Sequence, residues 1–191
     1  MNAYDFDETI FKGDCHRRFF GYCLLRFPYL IFLIPYILIV LILRAVRVLD
    51  KNTYYYLMGV FVVFVPHKQK LIKNFWDKNI HRIKKWYLEQ KKPDDVIISA
   101  SPSFLVDEIC FRLGVESIAS KIDLKTYKLD GAHCYGKEKV NMFCKTHNEI
   151  PQAFYSDSYS DLPMMLYAKE GYIVKGEKVT LVCKNGQKIS K

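Results

Sequence analysis

Asp5-Phe6-Asp7-Glu8-Thr9 stands four residues into a chain of 191, directly after Met1-Asn2-Ala3-Tyr4. Two carboxylates two positions apart, at a strand end that loops outward, can divide the labour of a displacement. One attacks while the other handles a proton. Residues 1–12 therefore read as a short strand running into a catalytic loop, although four residues make a brief strand. A simple acidic turn would look the same. Three fixed positions recur by chance in roughly 2% of chains of this length, so the motif gains meaning only through partners elsewhere.

Those partners lie beyond residue 93, where the chain alternates between strand and helix. Val96-Ile97-Ile98 is a compact apolar strand ending at Ser99. Residues 103–113 form a helix that Ser101 or Ser103 can cap and Gly114 terminates. Residues 115–123 read as a strand, 139–145 as the start of a helix, and Ala153-Phe154-Tyr155 as a strand running into Ser156-Asp157. The tail at 171–189 resembles strands joined by turns, with Asn185-Gly186 as a hairpin signal. This rhythm predicts an α/β fold with a parallel sheet wrapped by helices.

Ligands of open parallel sheets bind at the carboxyl ends of strands. Three of the expected strands end in residues suited to phosphate: Asp5 with Asp7, Ser99, and Asp157 with Asp161. Phosphoryl transfer needs charge neutralisation, so a carboxylate-bound Mg²⁺ and a lysine are the expected companions. Asp157 and Asp161 supply a metal carboxylate and a supporting one. Lys139, after the turn at Gly136, reaches phosphate oxygens, with Lys137 as its competitor. Ser99 and the N–H groups of the following helix offer further donors. Taken singly each has a plainer reading: one lysine among many, a cap at Ser99, a cap at Asp161 for the helix 162–168.

Read in order, Asp5-Phe6-Asp7-Glu8-Thr9-Ile10, Val96-Ile97-Ile98-Ser99, Lys139 and Ser156-Asp157-Ser158-Tyr159-Ser160-Asp161 resemble the four motifs of the haloacid dehalogenase superfamily of phosphatases. The match covers residues 1–12 and roughly 94–168. The resemblance implies a Rossmann-like core with an all-helical cap inserted between the first and second motifs. It also implies Asp5 as nucleophile, Asp7 as general acid and base, and Ser99 and Lys139 as phosphate ligands. Mg²⁺ would be held by Asp5, Asp157 and the backbone carbonyl of Asp7; Thr9 and Asp161 would support the site, and Asp14 falls where the phosphoserine-phosphatase-like branch places an acidic residue facing the substrate. Ser156 and Ser158 stand where the fourth motif usually carries glycine. The insertion is similar to the cap of the phosphoserine-phosphatase-like branch. The stretches Ser99-Ala100-Ser101-Pro102 and Gly131-Ala132-His133-Cys134-Tyr135-Gly136-Lys137-Glu138-Lys139 look like the phosphatidylglycerophosphatase C group, whose substrate is a membrane lipid phosphate.

On this reading residues 1–12 and 93–191 are the catalytic core and 13–92 the cap. Residues 27–43 carry no charge and are interrupted by Pro28 and Pro35; residues 54–65 form a second uncharged run. A bilayer span takes about 20 apolar residues. Asp5 must also meet Ser99 and Asp157, so the chain must return to the side it left and a single span is excluded. What remains is a hairpin dipping into one leaflet, helices lying in the interface, or the core of a soluble bundle. Residues 67–92 read as one basic helix, with Trp76, Trp86 and many lysines suited to anionic headgroups.

The excess of 29 Lys and Arg over 20 Asp and Glu, a net charge of +9, fits anionic partners. A phosphorylated lipid or small molecule and an anionic membrane surface are expected; nucleic acid and a protein partner are not, since no binding motif accompanies the charge. No basic segment opens the chain ahead of an apolar one, so no signal peptide is expected. Six scattered cysteines without metal spacing suggest reduced thiols. The expected location is the cytoplasmic face of the cell membrane, with the cytoplasm as the alternative. Three functions differ in class: a membrane-bound lipid-phosphate phosphatase, a soluble small-molecule phosphatase of the phosphoserine type, and a catalytically silent lipid-binding module.

Overall fold

The computed structural model describes residues 1–189, apart from the side chains of residues 51, 52 and 55. Its sheet is organised around β1 (Ala3–Tyr4), which pairs in parallel with β2 (Val96–Pro102) on one side and β4 (Ala153–Ser156) on the other. Two residues suffice because both are fully buried between neighbours that satisfy their backbone. The strand order is β3-β2-β1-β4-β5-β6-β7, with β3 (Glu116–Ser120), β5 (Glu170–Lys175), β6 (Lys178–Lys184) and β7 (Gln187–Lys188). The pairings from β3 through β5 are parallel and the last two are antiparallel. The chain winds from β1 outward through β2 to β3, then crosses back to β4. The crevice between β1 and β4 is therefore the switch point where such sheets place their ligands.

Alternation along β2 feeds two cores. Ile97 joins a cluster with Tyr4, Phe6, Phe19, Phe75, Trp76 and Leu105. Val96 and Ile98 face the opposite side with Phe143, Phe154 and Met164. Helix α6 (Ser103–Leu113) begins after Pro102 with no side-chain cap bond, so neither Ser101 nor Ser103 caps it. Gly114, at φ +68°, ends it as expected.

Residues 13–92 are all-helical. They comprise α1 (Cys15–Arg26), a 3₁₀ turn (Pro28–Leu33), α2 (Ile34–Ala45), α3 (Lys51–Gly59), a second 3₁₀ turn (Val60–Phe64), α4 (Lys68–Asn79), a third (Ile80–Arg82) and α5 (Lys85–Gln90). The chain returns beside its own exit. Phe11 and Ile83 form an antiparallel bridge, flanked by bonds from Lys12 N–H to the Arg82 carbonyl (3.0 Å) and from Lys84 N–H to the Ile10 carbonyl (2.8 Å).

That bridge corrects the expectation of one basic helix over 67–92. The helix stops at Asn79 because Ile83 and Lys84 must extend to meet Ile10 and Phe11, and α5 starts afresh. The tryptophans are also not turned outward. Trp76 is fully buried, donates Nε1–H to the Leu105 carbonyl (2.9 Å) and packs edge-on against Phe6 and Phe11. Trp86 lies against Tyr4 and Tyr155.

The exposed apolar surface lies elsewhere. Along Pro28–Ala45, with mean hydropathy 2.2, only 11% of the residues are buried. Leu38, Ile39 and Ile42 are 53%, 56% and 61% exposed. The core helix of a soluble bundle would be mostly covered.

Candidate active site

The loop after β1 is shaped by an unfavourable backbone. Glu8 adopts φ +57°, a region costly for a residue with a β-carbon. Two contacts hold it there: its N–H reaches the Gly13 carbonyl (3.2 Å), and its own carbonyl accepts from Lys84 Nζ (2.6 Å). The turn brings Thr9 back over Asp5. Thr9 Oγ1 donates to Asp5 Oδ2 (2.8 Å) and accepts from the Asp157 N–H (2.8 Å), tying the ends of β1 and β4 together.

Lys139 closes the constellation from α7 (Lys137–Thr146). Gly136 precedes that helix at φ 59° and ψ −122°, a conformation open to glycine, and this sets the helix to point Lys139 inward. Its Nζ lies 2.6 Å from Asp5 Oδ1 and 2.7 Å from Asp161 Oδ2. Lys137 is exposed on the first turn, so Lys139 is the lysine at the site. Asp161 does not cap α8 (Leu162–Tyr167) through its side chain; it accepts from Lys139 and from Ser156 Oγ (2.8 Å). Ser156 thus orients the lysine's second carboxylate.

Asp7 faces Asp5 across a cavity of about 270 Å³. Its carboxylate accepts from the Cys15 N–H (2.6 Å) and from the Ser101 hydroxyl. Ser99 is buried on the same wall and accepts the Ser101 N–H (3.1 Å). Asp157 and Asp14 also line the cavity, and Asp14 caps α1 by accepting the Arg17 N–H (2.8 Å). All the expected residues therefore converge, with Thr9 reaching the cavity through its bonds. Ser101, Cys15 and His16 went unread as site residues. The signal for Ser101 was its spacing: Ser99 and Ser101 share one face of a strand that runs on to Pro102.

Electrostatics set the site apart from an ordinary ion-pair cluster. Burial opposes the Lys139 ammonium, but the Asp5 and Asp161 carboxylates outweigh it and hold its pKa above the usual lysine value. Burial lifts Asp5 to about 6 against the pull of Lys139, and lifts Asp7 to about 7 with Asp14 adding repulsion. Burial also raises Asp157. A carboxyl near 7 can both give and take a proton at neutral pH.

In the metal-free protein the raised pKa of Asp7 ties stability to pH. Asp7 has a higher pKa folded than unfolded, so its favourable contribution is complete below about pH 4 and is lost as pH rises through about 7. Asp7→Asn should abolish that loss. At pH 8 in chelator the variant should be more stable than the parent by roughly 2 kcal/mol, with the gap closing toward pH 4. Thermal melts across this range check it.

Among the described residues no three His, Cys, Asp or Glu side chains converge as metal ligands. The cavity instead offers oxygen donors from Asp5 and Asp157 beside the Asp7 main chain. Such a set fits Mg²⁺, which binds through one or two carboxylates and keeps several waters.

A family model described as haloacid dehalogenase-like hydrolase matches residues 3–166. By sequence, no curated protein matches. Among solved structures, a protein with unknown function from Bordetella pertussis Tohama I aligns with a TM-score of 0.73 at 15% identity, over 90% of this chain and 87% of that one. A phosphoserine phosphohydrolase-like protein from Francisella tularensis subsp. tularensis SCHU S4 aligns with a TM-score of 0.58 at 15% identity, over 90% and 86%. A phospho-aspartyl intermediate analogue of phosphoserine phosphatase aligns with a TM-score of 0.50 at 14% identity, over 88% and 83%. At these identities the likeness is one of fold.

Proposed function

Because the chain belongs to the haloacid dehalogenase-like hydrolase family, we propose that it hydrolyses phosphate monoesters through a phosphoryl group carried on Asp5. The observation that carries this reading is the buried pairing of Lys139 with Asp5 and Asp161, opposite Asp7 in one cavity. Lys139 and the Ser99 hydroxyl bind the phosphate oxygens. An Asp5 carboxylate oxygen attacks phosphorus, the ester P–O bond breaks, and Asp7 gives its proton to the departing alcohol oxygen. Asp7 then takes a proton from water, whose oxygen attacks phosphorus and releases phosphate from Asp5. Thr9 and Lys139 hold the nucleophile in place throughout. Mg²⁺, held by Asp5, Asp157 and the Asp7 carbonyl, would supply neutralisation of phosphate charge. Purified protein should hydrolyse p-nitrophenyl phosphate only with Mg²⁺ present; no turnover under any metal condition would overturn the proposal.

The finer reading is a lipid phosphate substrate such as phosphatidylglycerophosphate, met at the cytoplasmic face of the membrane. The uncovered apolar stretch Pro28–Ala45 supports it, as do Arg26, Arg44 and Arg47 around that stretch, which suit anionic headgroups. Twelve residues make α2 about 18 Å long, short of a bilayer's roughly 30 Å. Both ends of the insertion return to the core, so the stretch enters one leaflet or lies along it. Replacing Leu38 and Ile42, neighbours on one face of α2, with Glu should weaken binding to phosphatidylglycerol vesicles at least about tenfold. Hydrolysis of p-nitrophenyl phosphate should persist. Assay of the lipid in mixed micelles against phosphoserine separates this reading from a soluble phosphatase.

A further inference from the structure

The charge lining the cavity is lopsided. Six acidic residues line it: Asp5, Asp7, Glu8, Asp14, Asp157 and Asp161. Among the described lining residues the one lysine or arginine is Lys139, already bonded to Asp5 and Asp161. Other cations lie near the cavity but outside its lining: Arg18 packs against Gly13, its buried Nε without a hydrogen-bond partner among the described residues. Lys84 and Lys175 donate to the backbone carbonyls of Glu8 and Asp157, and Arg17, its side chain 83% exposed, pairs with Asp14.

The first turn of α1 contributes a different kind of group, His16. Its Nε2 shares a hydrogen bond with the Tyr127 hydroxyl (2.9 Å), and its ring lies near-parallel to those of Phe61 and Tyr127, with centroids 6.0 Å from each. Tyr127 is itself wedged. It adopts φ +57°, and its ring occupies the space beside Gly59 so closely that a β-carbon there would lie 1.7 Å from it. Gly59 of the insertion, Tyr127 of the core loop and His16 at the cavity wall therefore interlock. Burial pushes His16 down to about 4, so the ring is neutral at physiological pH. Among the described residues Nδ1 has no hydrogen-bond partner. In either tautomer it offers one uncharged hydrogen-bonding group, which a hydroxyl can meet as donor or acceptor.

We propose that this wall selects the alcohol that leaves: an uncharged, hydroxyl-bearing group is accepted, with His16 as the specificity-determining residue and Tyr127 positioning it, while carboxylate-bearing leaving groups are rejected. The inference rests on the phosphatase reading of the same site. A carboxylate entering beside Asp14 meets like charge and no unpaired lysine or arginine among the described lining residues, whereas a hydroxyl can bond to His16 or Asp14. Phosphoserine is thus a poor substrate despite the shared fold.

The test compares kcat/KM, with Mg²⁺, for glycerol 1-phosphate, O-phosphoserine and phosphoglycolate, with p-nitrophenyl phosphate as the reference for turnover. Glycerol 1-phosphate should exceed both carboxylate-bearing esters by about tenfold or more. His16→Leu should lower that ratio severalfold through loss of the hydroxyl contact, the repulsion of carboxylates remaining, and His16→Asn, which keeps a hydrogen-bonding group, should preserve much of it. Tyr127→Phe should raise KM for glycerol 1-phosphate more than it lowers kcat. Equal or preferred use of phosphoserine by the unsubstituted chain overturns the inference while leaving phosphatase activity intact, and needs no variant to fold. A ratio indifferent to His16→Leu also overturns it. Absence of turnover on every ester refutes both this inference and the phosphatase reading.

Discussion

Replacing Lys139 with Met should cost about 3–5 kcal/mol of stability and nearly all activity. The ammonium sits between two buried carboxylates, 2.6 Å from Asp5 and 2.7 Å from Asp161. Removing it leaves both with uncompensated charge in a site that already raises the pKa of Asp5. One must then take up a proton, and Asp5 protonated is no nucleophile. Adding Asp161→Asn to the Met variant should recover part of the stability and none of the turnover, because it removes a buried charge without restoring the phosphate ligand. Urea unfolding of the parent, both single variants and the double variant measures the coupling. A loss below about 1 kcal/mol for Lys139→Met, within the range of an exposed pair, would mean the cluster is far more solvated than its burial implies.

Asp5→Asn should lower kcat by about 10⁴-fold or more while leaving the fold in place. The Asn carbonyl can still accept from Lys139 or Thr9, and removing a carboxylate whose pKa burial has raised relieves repulsion from Asp161 and Asp157. The variant should therefore melt no lower than the parent in chelator. A protein lacking Asp5 with undiminished phosphatase activity would end the mechanism. Loss of activity together with unfolding would instead assign Asp5 a structural role.

Much of this site was legible in the sequence because its chemistry sits at the ends of strands. Asp5, Ser99 and Asp157 each follow an apolar run whose length and bounding residues mark a strand, and parallel pairing brings those ends together. Lys139 was legible through the turn at Gly136. What escaped were features decided by distant contacts. Nothing local to residues 67–92 ends the helix at Asn79; the bridge from Ile83 to Phe11 does. Trp76 reads as amphipathic in its own segment, but Phe6 and Phe11 on the catalytic loop claim it. Ser101 meets Asp7 across 94 positions of sequence and Tyr127 meets His16 across 111. Burial in those pairings sets the proton affinities of Asp7 and His16, and composition alone carries no trace of it. For the apolar run at 27–43, periodicity could not tell a bundle core from a surface left bare; the exposure of Leu38, Ile39 and Ile42 supports the second.

Chemical trapping of the phosphoryl group tests the assignment of Asp5 most directly. Protein quenched during turnover of p-nitrophenyl phosphate with Mg²⁺ and treated with borohydride should show homoserine in place of Asp5 by peptide mass spectrometry, since the reagent reduces an acyl phosphate and spares a free carboxylate. The modification should fall on Asp5, depend on substrate and be absent from Asp5→Asn. Homoserine at Asp7 or Asp157 with Asp5 untouched would contradict it.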